Sequence, residues 1–239
     1  MYNMKIFVAT SDQYIYVMPI FAYLFNKFWG DKAEVTVLNR GIINNYNLPN
    51  NFKIISLGKN EGINTWCKDF KEYFKNVSDK YFIFLQEDHL LLKPLNIKSY
   101  QALLSCLDDD KIGRICITND IITKPYTPYK NINGTQILSS SQTAKYRASC
   151  QPSIWSKEFL LKCLPNLGGP WEFEMQHPCN DDYKVLGIYK DYPTLVSNAV
   201  LKGEFNDDWY KCIHGSDYFK LDLETIQHID ANLNIVYNN

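Results

Sequence analysis

This chain of 239 residues has no Cys-x-x-Cys pair, no apolar run of bilayer length and no excess of either charge. Each absence removes a class of protein. Seven cysteines, an odd number without paired spacing, suit reduced thiols rather than a disulfide framework. No stretch approaches the ~20 apolar residues that span a bilayer. The start, Met1 to Thr10, has one lysine and too short an apolar run for a secretory signal, so a cytoplasmic protein is expected. Lys and Arg total 25 against 26 Asp and Glu, a formal net charge of −1 with the bases scattered. That leaves no electrostatic footprint for nucleic acid. The sequons Asn76-Val77-Ser78 and Asn133-Gly134-Thr135 then read as chance matches. No internal repeat and no flexible linker divides the chain.

What is present is ordinary globular composition, 46% hydrophobic and 21% charged. The aromatic share of 15% suits stacking on sugars or bases, and serves equally as core filling. Short apolar runs alternate with helical patterns. Lys5–Ala9, Glu34–Leu38, Lys53–Leu57, Tyr81–Leu85, Arg114–Thr118, Lys184–Tyr189 and Leu195–Leu201 read as strands. Tyr16–Trp29 reads as a helix, with Pro19 near its start and Gly30 as its stop. A second helix has Asn64 as N-cap and Trp66, Phe70, Tyr73, Phe74 and Val77 at three- and four-residue spacings. Further helices are expected over Ser99–Leu107, from Ser156 to Leu164, and over Leu221–Leu233. Thr135–Leu138 and Ala144–Ala148 are expected to form a hairpin or lie along a sheet edge. This alternation predicts an α/β fold, a mostly parallel sheet flanked by helices. One compact domain with two lobes follows, over about 1–118 and about 119–239.

The chemistry concentrates where Tyr81–Leu85 ends in Gln86-Glu87-Asp88-His89. In an open α/β sheet, ligands bind beyond the carboxyl ends of the strands. The first strand ends in Thr10-Ser11 at the same edge. Asp108-Asp109-Asp110, by contrast, precedes a strand and falls at the opposite edge, where a solvated turn is expected. The second half adds Cys150-Gln151-Pro152-Ser153-Ile154-Trp155 and Gly168-Gly169-Pro170-Trp171-Glu172-Phe173-Glu174. Pro170 suits a first helical position, and the two glutamates fall in the first turn, where the helix dipole favours carboxylates.

In sequence order, these pieces resemble a GT-A type nucleotide-sugar glycosyltransferase. The resemblance rests on the Thr10-Ser11 and Gln86-Glu87-Asp88 strand ends, the SCQPSIW…GGPWEFE block and Val196–Gly203. It covers most of the chain as pattern and order. It implies a nucleotide-sugar donor, a glycan or other hydroxyl acceptor, and a role in polysaccharide biosynthesis. Thr10, Ser11, Gln86, Glu87 and Asp88 would bind the donor. In that family an Asp-x-Asp holds Mn²⁺ or Mg²⁺ on the donor diphosphate; here Gln86 stands at the first Asp. Asp88 would be the metal ligand, with His214 completing the shell and His89 its competitor. For inverting transfer, Glu172 would be the general base and Glu174 the second candidate. A retaining reaction would need neither.

Two other readings stay open. A sugar nucleotidyltransferase also binds nucleotide and metal on such a sheet, but its Gly-rich, Lys/Arg-bearing loop is missing from Thr10-Ser11-Asp12-Gln13. A non-catalytic nucleotide-sugar-binding protein is the third.

Overall fold

The computed structural model describes residues 4–42, 47–175, 181–201, 204–206, 224–225 and 227–228. In chain order these form β1 (Ile6–Ser11), α1 (Met18–Phe28), β2 (Val35–Arg40), β3 (Phe52–Ser56), α2 (Trp66–Lys75), β4 (Tyr81–Gln86), β5 (His89–Leu91) and α3 (Ile97–Leu104). Then come β6 (Ile112–Cys116), β7 (Tyr126–Ile132), β8 (Thr135–Ser140), β9 (Ser153–Ser156), α4 (Lys157–Cys163) and α5 (Pro170–Met175). The last strands are β10 (Lys184–Ile188), β11 (Val196–Asn198), β12 (Val200–Leu201) and β13 (Glu204–Phe205).

Nine strands form one sheet in the order β3-β2-β1-β4-β9-β6-β10-β8-β7. All but β9 and β8 point the same way, so the sheet is mostly parallel, as the alternation of runs and helices predicts. Period-two alternation splits the buried residues of β4 between two cores. Ile83 and Leu85 pack with Phe21 and Phe25 of α1 and Leu103 of α3. Phe82 and Phe84 face α2, α4 and α5, beside Phe70, Phe74, Phe159 and Phe173. The Phe74 and Phe82 rings stack at 4.7 Å, and Phe7 meets both edge-on. Truncating Phe82 to Ala at this junction would cost about 3–5 kcal/mol. A buried sheet between two helical layers thus carries its strand tips outward together.

Local chemistry sets several boundaries. Gly30, at φ +118°, follows the last turn of α1 and donates its N–H to Phe25 O, as expected of a helix stop. Ser156 caps α4 through the N–H of Phe159, again as expected. Other boundaries differ from the sequence reading. The start of α2 is not capped by Asn64: Ile63–Thr65 form a 3-10 turn and the helix starts at Trp66. Asn96 caps α3 through the N–H of Ser99, which starts that helix two residues earlier than the sequence reading and ends it at Leu104. The edge hairpin pairs β8 with β7, and Ala144–Ala148 is a run of turns instead of a strand. β7 is an exposed edge strand with Pro128 at a register shift, where a missing N–H is tolerated. Of the Leu221–Leu233 stretch, the described Glu224, Thr225, Gln227 and His228 are helical.

Candidate functional site

The carboxyl ends of β1, β2 and β4 enclose a cavity of about 280 Å³. Its wall takes Thr10 and Ser11 from β1, Arg40 from β2, and Gln86 and Glu87 from the end of β4. Tyr14 and Asn60 join it from the surrounding turns, and Pro170 from the start of α5. Four residues singled out in the sequence therefore share one wall, because parallel pairing aligns their strands: Ala9 is in register with both Leu38 and Gln86. A larger, mostly apolar cavity of about 650 Å³ lies between α1 and α3, by Trp29, Tyr100 and Leu104. It touches the amino-terminal ends of β1 and β4 at Ile6 and Ile83, the edge where α/β folds rarely bind ligands.

Arg40 is the residue that sequence reading missed. β2 runs two residues beyond Leu38, which brings a buried guanidinium to the cavity. Its Nε donates to Asp69 Oδ2 at 2.8 Å, and its Nη2 to Gly62 O at 2.6 Å and Thr65 Oγ1 at 2.8 Å. The arginine is thereby fixed and its charge matched by Asp69. The available signal was a polar Asn39-Arg40 pair directly after a buried strand, the same sign that marked Gln86-Glu87.

The tip of β4 is short of partners. Six buried side-chain atoms lack a hydrogen bond among the described residues, and Gln86 Nε2, Asp88 Oδ1 and His89 Nδ1 are three of them. Buried polar groups are nearly always paired, so three such atoms within four residues set the tip of β4 apart from the rest of the sheet. Glu87 is buried, and that burial, followed by the Asp88 carboxylate beside it, pushes its acid well above the usual carboxylate range. Tyr14 is pushed upward too, first by burial and then by Glu87 and Asp88.

Asp88 stands outside the cavity wall among the described residues, one step beyond Glu87. Its Oδ2 accepts from Asn198 Nδ2 at 3.1 Å, and its backbone O from the N–H of Ala199 at 2.8 Å. His89 is buried with Nε2 3.3 Å from Gln151 Nε2. A donating amide there makes Nε2 the acceptor and puts the ring proton on Nδ1, which lies 4.0 Å from Asp88 Oδ1.

Glu172 and Glu174 both hold backbone. Glu172 Oε2 accepts from the N–H of Gly169 at 2.8 Å, closing the first turn of α5. Glu174 Oε1 accepts from the N–H of Cys150 at 2.7 Å. The Gly-Gly pair has a steric cause. Gly168 sits at φ +135°, and a Cβ on Gly169 would come within 2.9 Å of Ile63. α5 can thus press against the turn that lines the cavity. Burial, then Glu174, then Asp88 push the Cys150 thiol upward.

A divalent ion on a diphosphate needs only one or two protein carboxylates, the rest of its shell being phosphate and water. The unpartnered Oδ1 of Asp88 fits that requirement. No group of three metal-ligating side chains gathers among the described residues, and His214 lies outside them. Asp109 is engaged by Lys184 and Tyr129, and Asp110 by Lys80, away from this edge. No helix among the described residues is long and apolar enough to cross a membrane.

No family profile matches the chain, and no curated protein does. Solved structures do match. HddC from Yersinia pseudotuberculosis superposes with a TM-score of 0.51 at 12% identity, over 88% of this chain and 98% of that one. The likeness is one of fold, a GT-A-like mostly parallel α/β sheet flanked by helices. TarS 1-349 of S. aureus aligns at 13% identity and a TM-score of 0.46, over 94% of this chain and 68% of its own. A cytidylyltransferase from Leptospira borgpetersenii serovar Hardjo-bovis gives 11% identity and 0.46, over 92% and 98%. At these identities the likeness speaks to the fold alone.

Proposed function

We propose that this protein is a glycosyltransferase that moves a sugar from a nucleotide-sugar donor to a hydroxyl of a glycan or related acceptor. The observation that carries the reading is the pair of unpartnered buried atoms on Gln86 and Asp88, at the end of the strand whose tip walls a cavity with Thr10, Ser11 and Arg40. The cavity is smaller than the about 300–1,000 Å³ that enclose a whole drug-sized ligand, so it suits part of the donor. The nucleoside sits against Thr10 and Ser11, and the diphosphate passes Glu87 toward Asp88.

Transfer leaves a nucleoside diphosphate whose growing charge must be stabilised. Mn²⁺ or Mg²⁺ would supply that stabilisation, with Asp88 as its ligand among the described residues. The chain's own residues do the rest. Arg40, fixed by Asp69, brings a guanidinium to the cavity wall. In an inverting reaction Glu172 takes the acceptor hydroxyl's proton on the oxygen it does not use for Gly169, with Glu174 as the second candidate. Trp171, 62% exposed one residue beyond Pro170 of the cavity wall, offers the acceptor a ring face.

The nucleotidyltransferase reading is weaker because the link after β1 carries neither the glycine nor the base that would cradle a triphosphate. The test is a melting-temperature screen across UDP-, GDP-, dTDP- and CMP-sugars, with Mn²⁺ and with EDTA. A ligand that binds only the folded chain raises the midpoint. A shift with one nucleotide-sugar class supports the proposal. A shift with nucleoside triphosphates and none with any sugar nucleotide would reverse the ranking.

A further inference from the structure

The two-stranded pairing of β5 with β11 sets His89 opposite Asn198 and carries a contact across 110 residues of sequence, from Asn198 Nδ2 to Asp88 Oδ2. Three further hydrogen bonds fix that contact in place. The N–H of Ala199 donates to Asp88 O at 2.8 Å, the N–H of Asn206 to Ala199 O at 2.8 Å, and Asn206 Nδ2 to Asn198 O at 3.0 Å. Asp88 is thus held at its main chain and at one carboxylate oxygen by the same late segment. Its other oxygen, Oδ1, is buried and has no hydrogen-bond partner.

We propose that Asn198 is the positioning residue of the site: its amide occupies Oδ2 of Asp88 and leaves Oδ1 as the single oxygen turned to the donor's cation. The inference rests on the reading of Asp88 as the cation's ligand. A carboxylate free to rotate about its last torsion offers either oxygen, or both, and must be ordered when the ion binds. Asn198 supplies that order beforehand, and the neutral amide does so without competing for the positive charge. A carboxamide also suits the position because it donates to Oδ2 and brings no charge of its own, whereas an Asp there would repel Asp88. His89 Nδ1 lies 4.0 Å from Oδ1.

Calorimetry on the whole chain tests this with UDP, GDP, dTDP and CDP as probes, each with Mn²⁺ and with EDTA. For the probe that binds wild type tightest, the readout is the ratio of the two affinities. We expect Asn198→Leu to lower that ratio about tenfold, the worth of one hydrogen bond to a charged group, while affinity in EDTA stays near wild type. A purely structural role for Asn198 would lower both affinities together and leave the ratio unchanged, and that result overturns the proposal. So does a wild-type ratio in Asn198→Leu when Asp88→Asn has lost it, an outcome that leaves Asp88 as ligand intact. A wild-type protein whose affinity ignores Mn²⁺ removes the reading of Asp88 and this inference with it. If Asn198→Leu does not melt cooperatively, Asn198→Ser, small, polar and too short to reach Oδ2, is judged by the same ratio.

Discussion

Glu174 Oε1 accepts the backbone N–H of Cys150 at 2.7 Å, while two residues earlier Glu172 Oε2 turns back on Gly169 at 2.8 Å. The two carboxylates of α5 therefore brace different pieces of chain, and substituting each should give a different signature. A general base matters to proton transfer and not to holding the donor. Glu172→Gln keeps an oxygen for Gly169 but cannot take a proton near neutral pH. We expect donor affinity within a few-fold of wild type and transfer slowed by about 10²–10⁴. Glu174→Gln keeps the Cys150 contact and should be much milder. Rates of sugar transfer, or of donor hydrolysis where the acceptor is unidentified, check this. A dead Glu174→Gln beside an active Glu172→Gln moves the base to Glu174. Two active variants would point to a retaining reaction.

Metal dependence should trace to Asp88. With Asp88→Asn, the gain in nucleoside diphosphate affinity on adding Mn²⁺ or Mg²⁺ should all but vanish, because a charged ligand is lost while its shape is kept. Affinity in EDTA should change little, since Asp88 lies beyond the cavity wall. Calorimetry giving wild-type protein the same affinity with Mn²⁺ and with EDTA would remove the metal from the mechanism.

The nucleoside end has a steric test. Ser11 is buried at the tip of β1 and lines the cavity. Ser11→Trp would fill much of a space of about 280 Å³. It should weaken donor binding by tenfold or more, with a cooperative melt retained because the strand end opens to the cavity. A complex with the base far from both Thr10 and Ser11 would refute the placement.

Part of the cavity wall was legible because one rule, ligands beyond strand carboxyl ends, applies to residues that announce themselves. Thr10, Ser11, Gln86 and Glu87 each follow an apolar run, and they line one cavity. Arg40 escaped because the apolar run ends at Leu38 while pairing with β1 continues to Arg40. β9 escaped for a different reason. Ser153–Ser156 is four residues long with a serine at each end, and it is a strand only because β4 and β6 flank it. Sequence alone showed the Ser156 cap that follows it and not the pairing that precedes it. The Asn198–Asp88 contact joins parts of the chain too distant for any local pattern to connect.

Arg114 and Asp120 give the last prediction, which concerns what holds the second half of the site. Arg114 is fully buried in β6 and donates to Asp120 Oδ2 at 2.9 Å, to Ser153 Oγ at 2.9 Å and to Arg147 O at 3.1 Å. Lys124 completes the group, donating to Asp120 Oδ1 at 2.6 Å. These bonds anchor the segment from Arg147 to Ser153, which contains the N–H that Glu174 holds and the Gln151 amide that meets His89. Burial alone would raise the Asp120 carboxyl, but Arg114 and then Lys124 outweigh it and hold the group below its usual value. An acid whose folded-state value is depressed contributes stability that is present above the unfolded value, about 3.9, and is lost as pH falls toward the folded one. Asp120→Asn leaves Arg114 and Lys124 without their anion and should cost about 3–5 kcal/mol near neutral pH. The deficit should shrink in acid, because wild type is itself losing the ionised carboxylate there. Urea unfolding of both proteins at about pH 7 and again below the usual Asp range of about 3.9 measures the two gaps. A deficit that stays constant, or grows, as pH falls would show that packing and not the charge of Asp120 holds this segment.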